Sequence, residues 1–230
     1  MELQSKLRDY LISLGVSDVG FSKPGAEGLE NTPYAVTLVV KLSNAIVDEI
    51  QGEPTPTYFS HYRAVNAFLD QCLLKAGLFL DREGYRYITI AASQSMNQKG
   101  WNYQGRFSHK QAACAAGLGT IGKSSLFLHR QFGPRARLAT LFTDCPFSVE
   151  NAVPVPVCGA CRRCVDACPS GAILGPQWQP GIPREALFDP EKCSLHMKRQ
   201  YQHIGRGAVC GVCMQVCPRY EKPLAHLFPD

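Results

Sequence analysis

Residues 158–169 read C-G-A-C-R-R-C-V-D-A-C-P, a spacing of C-x2-C-x2-C-x3-C-P. A second, looser set follows at Cys193, Cys210, Cys213 and Cys217, and its last part reads C-G-V-C-M-Q-V-C-P. Each set ends in Cys-Pro. A [4Fe–4S] cubane has four irons, and each iron takes one thiolate. In runs of this spacing the first three cysteines wrap one cubane and the fourth reaches the other. The pattern therefore assigns Cys158, Cys161, Cys164 and Cys217 to one cluster. Cys193, Cys210, Cys213 and Cys168 go to the other. Zinc sites usually show two C-x2-C pairs, not four cysteines in eleven residues ending in proline. Disulfides belong to oxidising compartments, and the N-terminus carries no secretory signal.

The remaining totals narrow the class. At 230 residues the chain can form one large domain or two small ones. Its 45% hydrophobic content is that of an ordinary globular protein. No stretch approaches eighteen consecutive apolar residues, so no membrane span is expected. The N-terminal M-E-L-Q-S-K-L-R-D-Y-L-I-S-L-G is an amphipathic helix pattern, with Leu3, Leu7, Leu11 and Leu14 on one face. It has neither a signal peptide's apolar region nor a twin-Arg motif, which makes a cytoplasmic location the expectation. The formal charge is +5 with cysteines counted as neutral. Two cubanes, each −2 with its thiolates, bring it to about +1. There is no basic run of five residues, and hence no strong electrostatic case for nucleic acid.

Along the chain, Asp18–Ser22, Tyr34–Leu42 and Tyr85–Ala92 read as strands, and Tyr58–Arg82 as a helix with apolar residues at helical spacing. Ser93–Phe107 is polar and aromatic, and a loop of this length in a compact domain is more often a site than a spacer. Ser108 is placed to cap a short Ala-rich helix that Gly117 stops. Ser124–His129 and Arg137–Thr143 read as further strands. The V-P-V-P-V at Val153–Val157 is a stiff linker into the cysteine-rich part.

The stretch Gly117-Leu-Gly-Thr-Ile-Gly-Lys-Ser124 matches both G-x-G-x-x-G and G-x4-G-K-S. Both phosphate-binding patterns need a strand before the loop and a helix after it. Here a helix precedes it, and the following segment meets Pro134 early. Two other readings are a tight glycine turn for close packing, and bare backbone lying against another large cofactor.

A-G-L-G-T-I-G-K-S-S, then G-P-R-A-R-L-A-T-L-F-T-D, then the paired cysteines, resembles epoxyqueuosine reductase and the reductive dehalogenases from about Leu3 to Pro218. The resemblance implies an α+β fold: a nitroreductase-like corrinoid-binding domain over residues 1–152, then a bacterial ferredoxin-like two-cluster domain over 153–230. It implies a base-off cobalamin beside the two [4Fe–4S] clusters. Gly117, Gly119, Gly122, Lys123, Ser124 and Ser125 would line the corrinoid cleft, with His109 and Tyr58 as further cofactor-facing residues. Epoxyqueuosine reductases carry an aspartate proton donor in a D-T-x-P segment, but no aspartate occurs between Glu83 and Asp144 here. Tyr103 falls near that position, as the tyrosine acid of reductive dehalogenases does. Its alternative is an ordinary half-buried aromatic. Cys72, Cys114 and Cys145 lie outside the cluster motifs, and Cys72 and Cys114 read as core.

The reading that follows is a cobalamin-dependent iron–sulfur reductase. It would take electrons from a low-potential donor of ferredoxin or flavodoxin type and deoxygenate or dehalogenate a small-molecule substrate. The tRNA-contacting helical repeats of longer family members have no counterpart, so tRNA is not the expected substrate. The alternatives are a two-cluster electron-transfer module serving a corrinoid protein, and a nucleotide-driven redox ATPase resting only on the G-x4-G-K-S match.

Overall fold

The structure is a computed structural model that describes residues 2–96, 103–205 and 209–228. In chain order the elements are α1 (Glu2–Ser13), β1 (Asp18–Ser22), β2 (Tyr34–Lys41), α2 (Asn44–Asp48), α3 (Pro56–Arg82), β3 (Tyr87–Ile90), α4 (His109–Ala115), β4 (Gly119–Ile121), β5 (Phe127–His129) and β6 (Ala136–Thr143). The cysteine-rich part adds α5 (Arg163–Asp166), α6 (Arg184–Leu187), α7 (Pro190–Tyr201) and α8 (Val212–Gln215), with short 3-10 turns at Pro218–Tyr220 and Ala225–Leu227. Two compact units form. One comprises Met1–Lys41, Val65–Leu118 and Arg137–Val153, the other Leu42–Ala64, Gly119–Ala136 and Pro154–Asp230.

The first unit is built on a four-stranded sheet of order β1-β2-β6-β3. β1 and β2 are antiparallel, in register from Asp18↔Val39 to Ser22↔Ala35. β3 and β6 are antiparallel from Tyr87↔Thr143 to Ile90↔Thr140. β2 reads Y-A-V-T-L-V-V-K, and its six inner residues are all buried. A β-branched run of this kind suits a strand covered on both faces. Leu29, Ala35, Ile90, Ala112 and Phe142 form one buried apolar group, against which Phe107 packs edge-on to Phe142 at 4.9 Å. Along α3, Leu69, Cys72, Leu73, Ala76 and Leu80 are buried at the helical spacing of the sequence. Ser108 occupies the position before α4, but its side chain makes no capping hydrogen bond.

In the second unit, β4 and β5 form an antiparallel hairpin, in register from Gly119↔His129 to Ile121↔Phe127. A side chain at Gly119 would collide with the Leu128 carbonyl. The unit also holds residues 42–64 and 119–136, which the sequence reading places in the first domain. A fully buried guanidinium gives the physical reason. Arg135 Nη2 donates to Asp48 Oδ1 at 2.6 Å, its Nη1 donates to the Asn44 carbonyl at 3.3 Å, and its plane lies 3.3 Å from the Tyr220 ring centroid. A buried charge is tolerable only when paired and hydrogen-bonded. Arg135 therefore holds α2, the segment after β5 and the C-terminal turn together.

Gly20 in β1 shows how tightly the first unit is packed. A β-carbon there would lie 2.6 Å from Ala116 Cβ and 2.7 Å from Leu118 Cδ1. Glycine in a strand is ordinarily the weaker choice by about 0.5–1 kcal/mol relative to alanine. Here overpacking reverses the sign, and Gly20→Ala should destabilise by about 1–3 kcal/mol. Urea unfolding of the variant would show a lower midpoint, whereas a raised midpoint would contradict the packing described.

Candidate metal-cluster site

Each cysteine stretch uses the same local device. A four-residue helix carries one cysteine within it and a second just past its end: Cys164 and Cys168 for α5, Cys213 and Cys217 for α8. α5 and α8 pack together. This exchange takes the fourth cysteine of each stretch to the other set. α8 starts at Gly211, whose φ of +82° and contact with Tyr58 leave no room for a side chain. α7 delivers Cys193 and begins with a strong start signal. Asp189 accepts the Lys192 N–H at 2.9 Å, and Pro190 occupies the first turn.

Cys158, Cys161, Cys164 and Cys217 line one cavity of about 200 Å³, together with Gly122, Lys123 and Ser124. Its apolar floor is Leu128, Val157, Leu224 and Phe228, packed against Cys158 and Cys217. A water occupies roughly 30 Å³, so the void is several waters in size. A structural zinc would draw its sulfurs to about 2.3 Å from one point. Among the described residues, no three His, Cys, Asp or Glu side chains converge closely enough to hold a single metal ion. The cysteine ring suits an extended group of atoms. No disulfide joins any of the eleven cysteines.

The thiols sense one another chiefly within two sets, although Cys164 of the first also raises Cys213 of the second. Burial, then the charges of Cys217, Cys158 and Cys161, push Cys164 up to about 11. Burial does the same for Cys217, also to about 11, against a backbone hydrogen bond at Arg219 that lowers it. Burial, then Cys210 and Cys168, push Cys193 up to about 12. Cys213 is raised by burial and then by Cys210 and Cys193. Cys210 is raised chiefly by burial. Cys168 is the exception. Burial would raise it, but the Ser170 hydroxyl and backbone N–H groups at Ser170, Ala172 and Ile173 outweigh that and bring it down. Without metal, neither set can hold four thiolates at neutral pH, so cluster assembly must expel protons.

Lys123 sits in the turn of the β4–β5 hairpin and is 8% exposed. Its Nζ donates to the Gly159 carbonyl at 2.7 Å and the Cys161 carbonyl at 3.2 Å. Its backbone N–H lies 3.5 Å from Cys158 Sγ. The lysine of the G-K-S match thus clamps the first cysteine loop. The hairpin around it lacks the strand–loop–helix context that a phosphate-binding loop requires.

The other residues singled out by resemblance fall in several places. Gly122, Lys123 and Ser124 line the cysteine cavity, where the hairpin turn carries them. Gly119 is packed into the hairpin against Leu128. Ser125 occupies the turn with a φ of 58°, and its N–H donates to the Gly122 carbonyl at 2.9 Å. Tyr58 is 2% exposed and supports the start of α8. His109 is held at both ring nitrogens: Nε2 donates to the Ala91 carbonyl at 3.1 Å, and Nδ1 accepts the Thr140 hydroxyl at 2.9 Å. Burial pushes its imidazole down to about 4, so it is neutral at physiological pH. Gly117 has a φ of +70°, with only Ala152 Cβ near a side chain's path, at 3.6 Å.

Of the polar-aromatic loop, residues 97–102 lie outside the described residues. Its stem is closed by Met96 N–H donating to the Gln104 carbonyl at 2.8 Å. Tyr103 sits half-buried at that stem with a φ of 55°. A left-handed tyrosine is strained, and such strain clusters at functional sites. Sequence reasoning missed Arg135 and Arg219. Arg219 donates to the Val157 carbonyl and borders the cavity. No local pattern marks either residue.

Comparison with known proteins agrees with this geometry. Residues 157–219 match the 4Fe–4S double cluster binding domain. Epoxyqueuosine reductase of Cyclobacterium marinum is 36% identical over 126 residues, covering 50% of this chain and 38% of that protein. A structure of epoxyqueuosine reductase with a tRNA-Tyr epoxyqueuosine-modified stem loop superposes with a TM-score of 0.67 at 19% identity, covering 99% of this chain and 68% of that one. A reductive dehalogenase structure that suggests a mechanism for B12-dependent dehalogenation superposes with a TM-score of 0.69 at 21% identity, covering 93% of this chain and 31% of that one. The chain carries a double-cluster iron–sulfur domain, and its whole mixed helix-and-sheet fold is shared with both groups. It is similar in sequence to epoxyqueuosine reductases and shares a fold with them and with reductive dehalogenases, and it spans 38% of the length of the Cyclobacterium marinum protein. No helix among the described residues is long and apolar enough to cross a membrane.

Replacing Lys123 by methionine keeps the bulk and removes two charge-assisted hydrogen bonds, each contributing about 1.5–3 kcal/mol. About half of the iron in Lys123→Met should therefore reach a chelator at least roughly tenfold faster than the other half. Uniform release, as in the parent, would contradict the clamp.

Proposed function

We propose that the chain is a corrinoid-dependent iron–sulfur reductase acting on a small molecule. In this reading Cys158, Cys161, Cys164 and Cys217 hold one [4Fe–4S] cluster. Cys168, Cys193, Cys210 and Cys213 hold the other. The observation that carries the proposal is the ring of Cys158, Cys161, Cys164 and Cys217 around a cavity too large for a single ion. Electrons from a low-potential carrier of ferredoxin or flavodoxin type would enter through these clusters.

For a corrinoid, Gly117 and Tyr103, both in the first unit, are residues of the sequence reading that lie outside the cysteine cavity and the hairpin. The donor chemistry fits a base-off cobalamin. His109 has both ring nitrogens engaged, which leaves it none for cobalt, and base-off binding asks for no imidazole at that position. When bound, the corrinoid would supply a cobalt that accepts single electrons and acts on a carbon–oxygen or carbon–halogen bond. Gly117 offers backbone without a side chain. Tyr103 would donate its phenolic proton to the carbon or oxygen that gains charge.

Anaerobic reconstitution with iron, sulfide and hydroxocobalamin, followed by metal analysis and EPR, tests this reading. About eight irons and one cobalt per chain are expected, with a base-off Co(II) signal. About eight irons with no cobalt would overturn the corrinoid part and leave an electron carrier for a partner's corrinoid.

A further inference from the structure

The first cysteine cavity has a one-sided charge pattern. Its charged lining is Lys123, Arg163, Arg219 and Lys222, with no carboxylate. Two of these cations already have work to do: Lys123 binds the cysteine loop, and Arg219 donates to the Val157 carbonyl. Arg163 and Lys222 do not. Both are exposed, and neither has a carboxylate within ion-pair distance among the described residues. Their nearest acidic neighbours in sequence are otherwise engaged, Asp166 with Arg162 at 3.5 Å and Glu221 with the Tyr220 hydroxyl at 2.8 Å. Cys161, one of the four cavity cysteines, is itself exposed. The cavity thus opens to solvent at a sulfur beside two uncompensated cations.

We propose that Arg163 and Lys222 form the docking surface for an acidic one-electron carrier protein, which delivers its electron beside Cys161. The proposal rests on the cluster assignment of these cysteines and is independent of the corrinoid. Opposite charge steers encounter and raises association rates by about 10–10³-fold at low ionic strength. A tRNA backbone is also anionic, but two cations around an exposed redox group suit a small acidic patch better than a phosphate track. In the transfer, the carrier's flavin hydroquinone loses one electron and becomes the semiquinone. The oxidised iron–sulfur core takes that electron, and no bond forms or breaks.

The test uses the reconstituted full chain and its Arg163→Glu/Lys222→Glu double variant, each first assayed for iron so that failed cluster assembly is seen separately. Stopped-flow reduction by an acidic flavodoxin hydroquinone is compared with reduction by reduced methyl viologen. The parent's flavodoxin rate should fall steeply with salt, and the double variant should lose about tenfold or more at low salt while the difference closes at high salt. The ratio of flavodoxin to viologen rates is the readout. Overturning results are a parallel loss with both reductants, a salt-independent parent rate, or loss of tRNA stem-loop binding with flavodoxin reduction unchanged.

Discussion

Buried thiolates repel one another. Four of them cannot share one small space unless positive charge sits among them, and Cys158, Cys161, Cys164 and Cys217 share one such space in this chain. Burial and mutual repulsion raise five of the eight thiols, Cys164, Cys217, Cys193, Cys210 and Cys213. The surroundings of the first set answer that repulsion. Lys123 is buried with its ammonium on the cysteine loop, Arg219 borders Cys217, and no carboxylate lines the cavity. The apolar floor of Leu128, Val157, Leu224 and Phe228 packs against Cys158 and Cys217 and offers those sulfurs no polar partner. The arrangement favours an iron–sulfur core over bare thiols, because iron supplies the charge that the protein only partly provides.

Much of this was legible in the amino-acid order. The four-in-eleven cysteine spacing implies the exchange of fourth cysteines. The structure brings Cys217, just past α8, to the cavity of Cys158, Cys161 and Cys164. The β-branched runs at Tyr34–Lys41 and Arg137–Thr143 announce buried strands, and the apolar spacing after Pro56 announces α3. In each case the signal is local, set by backbone period or turn chemistry.

What was illegible depends on partners far apart in sequence. The G-K-S of Gly122–Ser124 matches a nucleotide pattern, yet its lysine reaches carbonyls 36 and 38 residues away. Nothing local distinguishes those acceptors from a phosphate. Only the hairpin pairing of β4 with β5 does so. The assignment of residues 42–64 and 119–136 to the second unit likewise depends on Arg135 reaching Asp48, 87 residues away. His109 reads as a cofactor-facing residue beside a glycine loop, whereas its ring is a strut between α4, β6 and the Ala91 carbonyl.

The pairing of Cys217 with the first stretch and of Cys168 with the second is the claim on which the account stands. Native mass spectrometry of reconstituted chains measures it directly. The parent should carry two Fe4S4 increments. The double variant Cys161→Ser/Cys217→Ser should retain one intact cluster, because both losses fall on the same one, whereas Cys161→Ser/Cys168→Ser should retain none. The reverse result, one cluster left in the second variant and none in the first, would contradict the arrangement of the site.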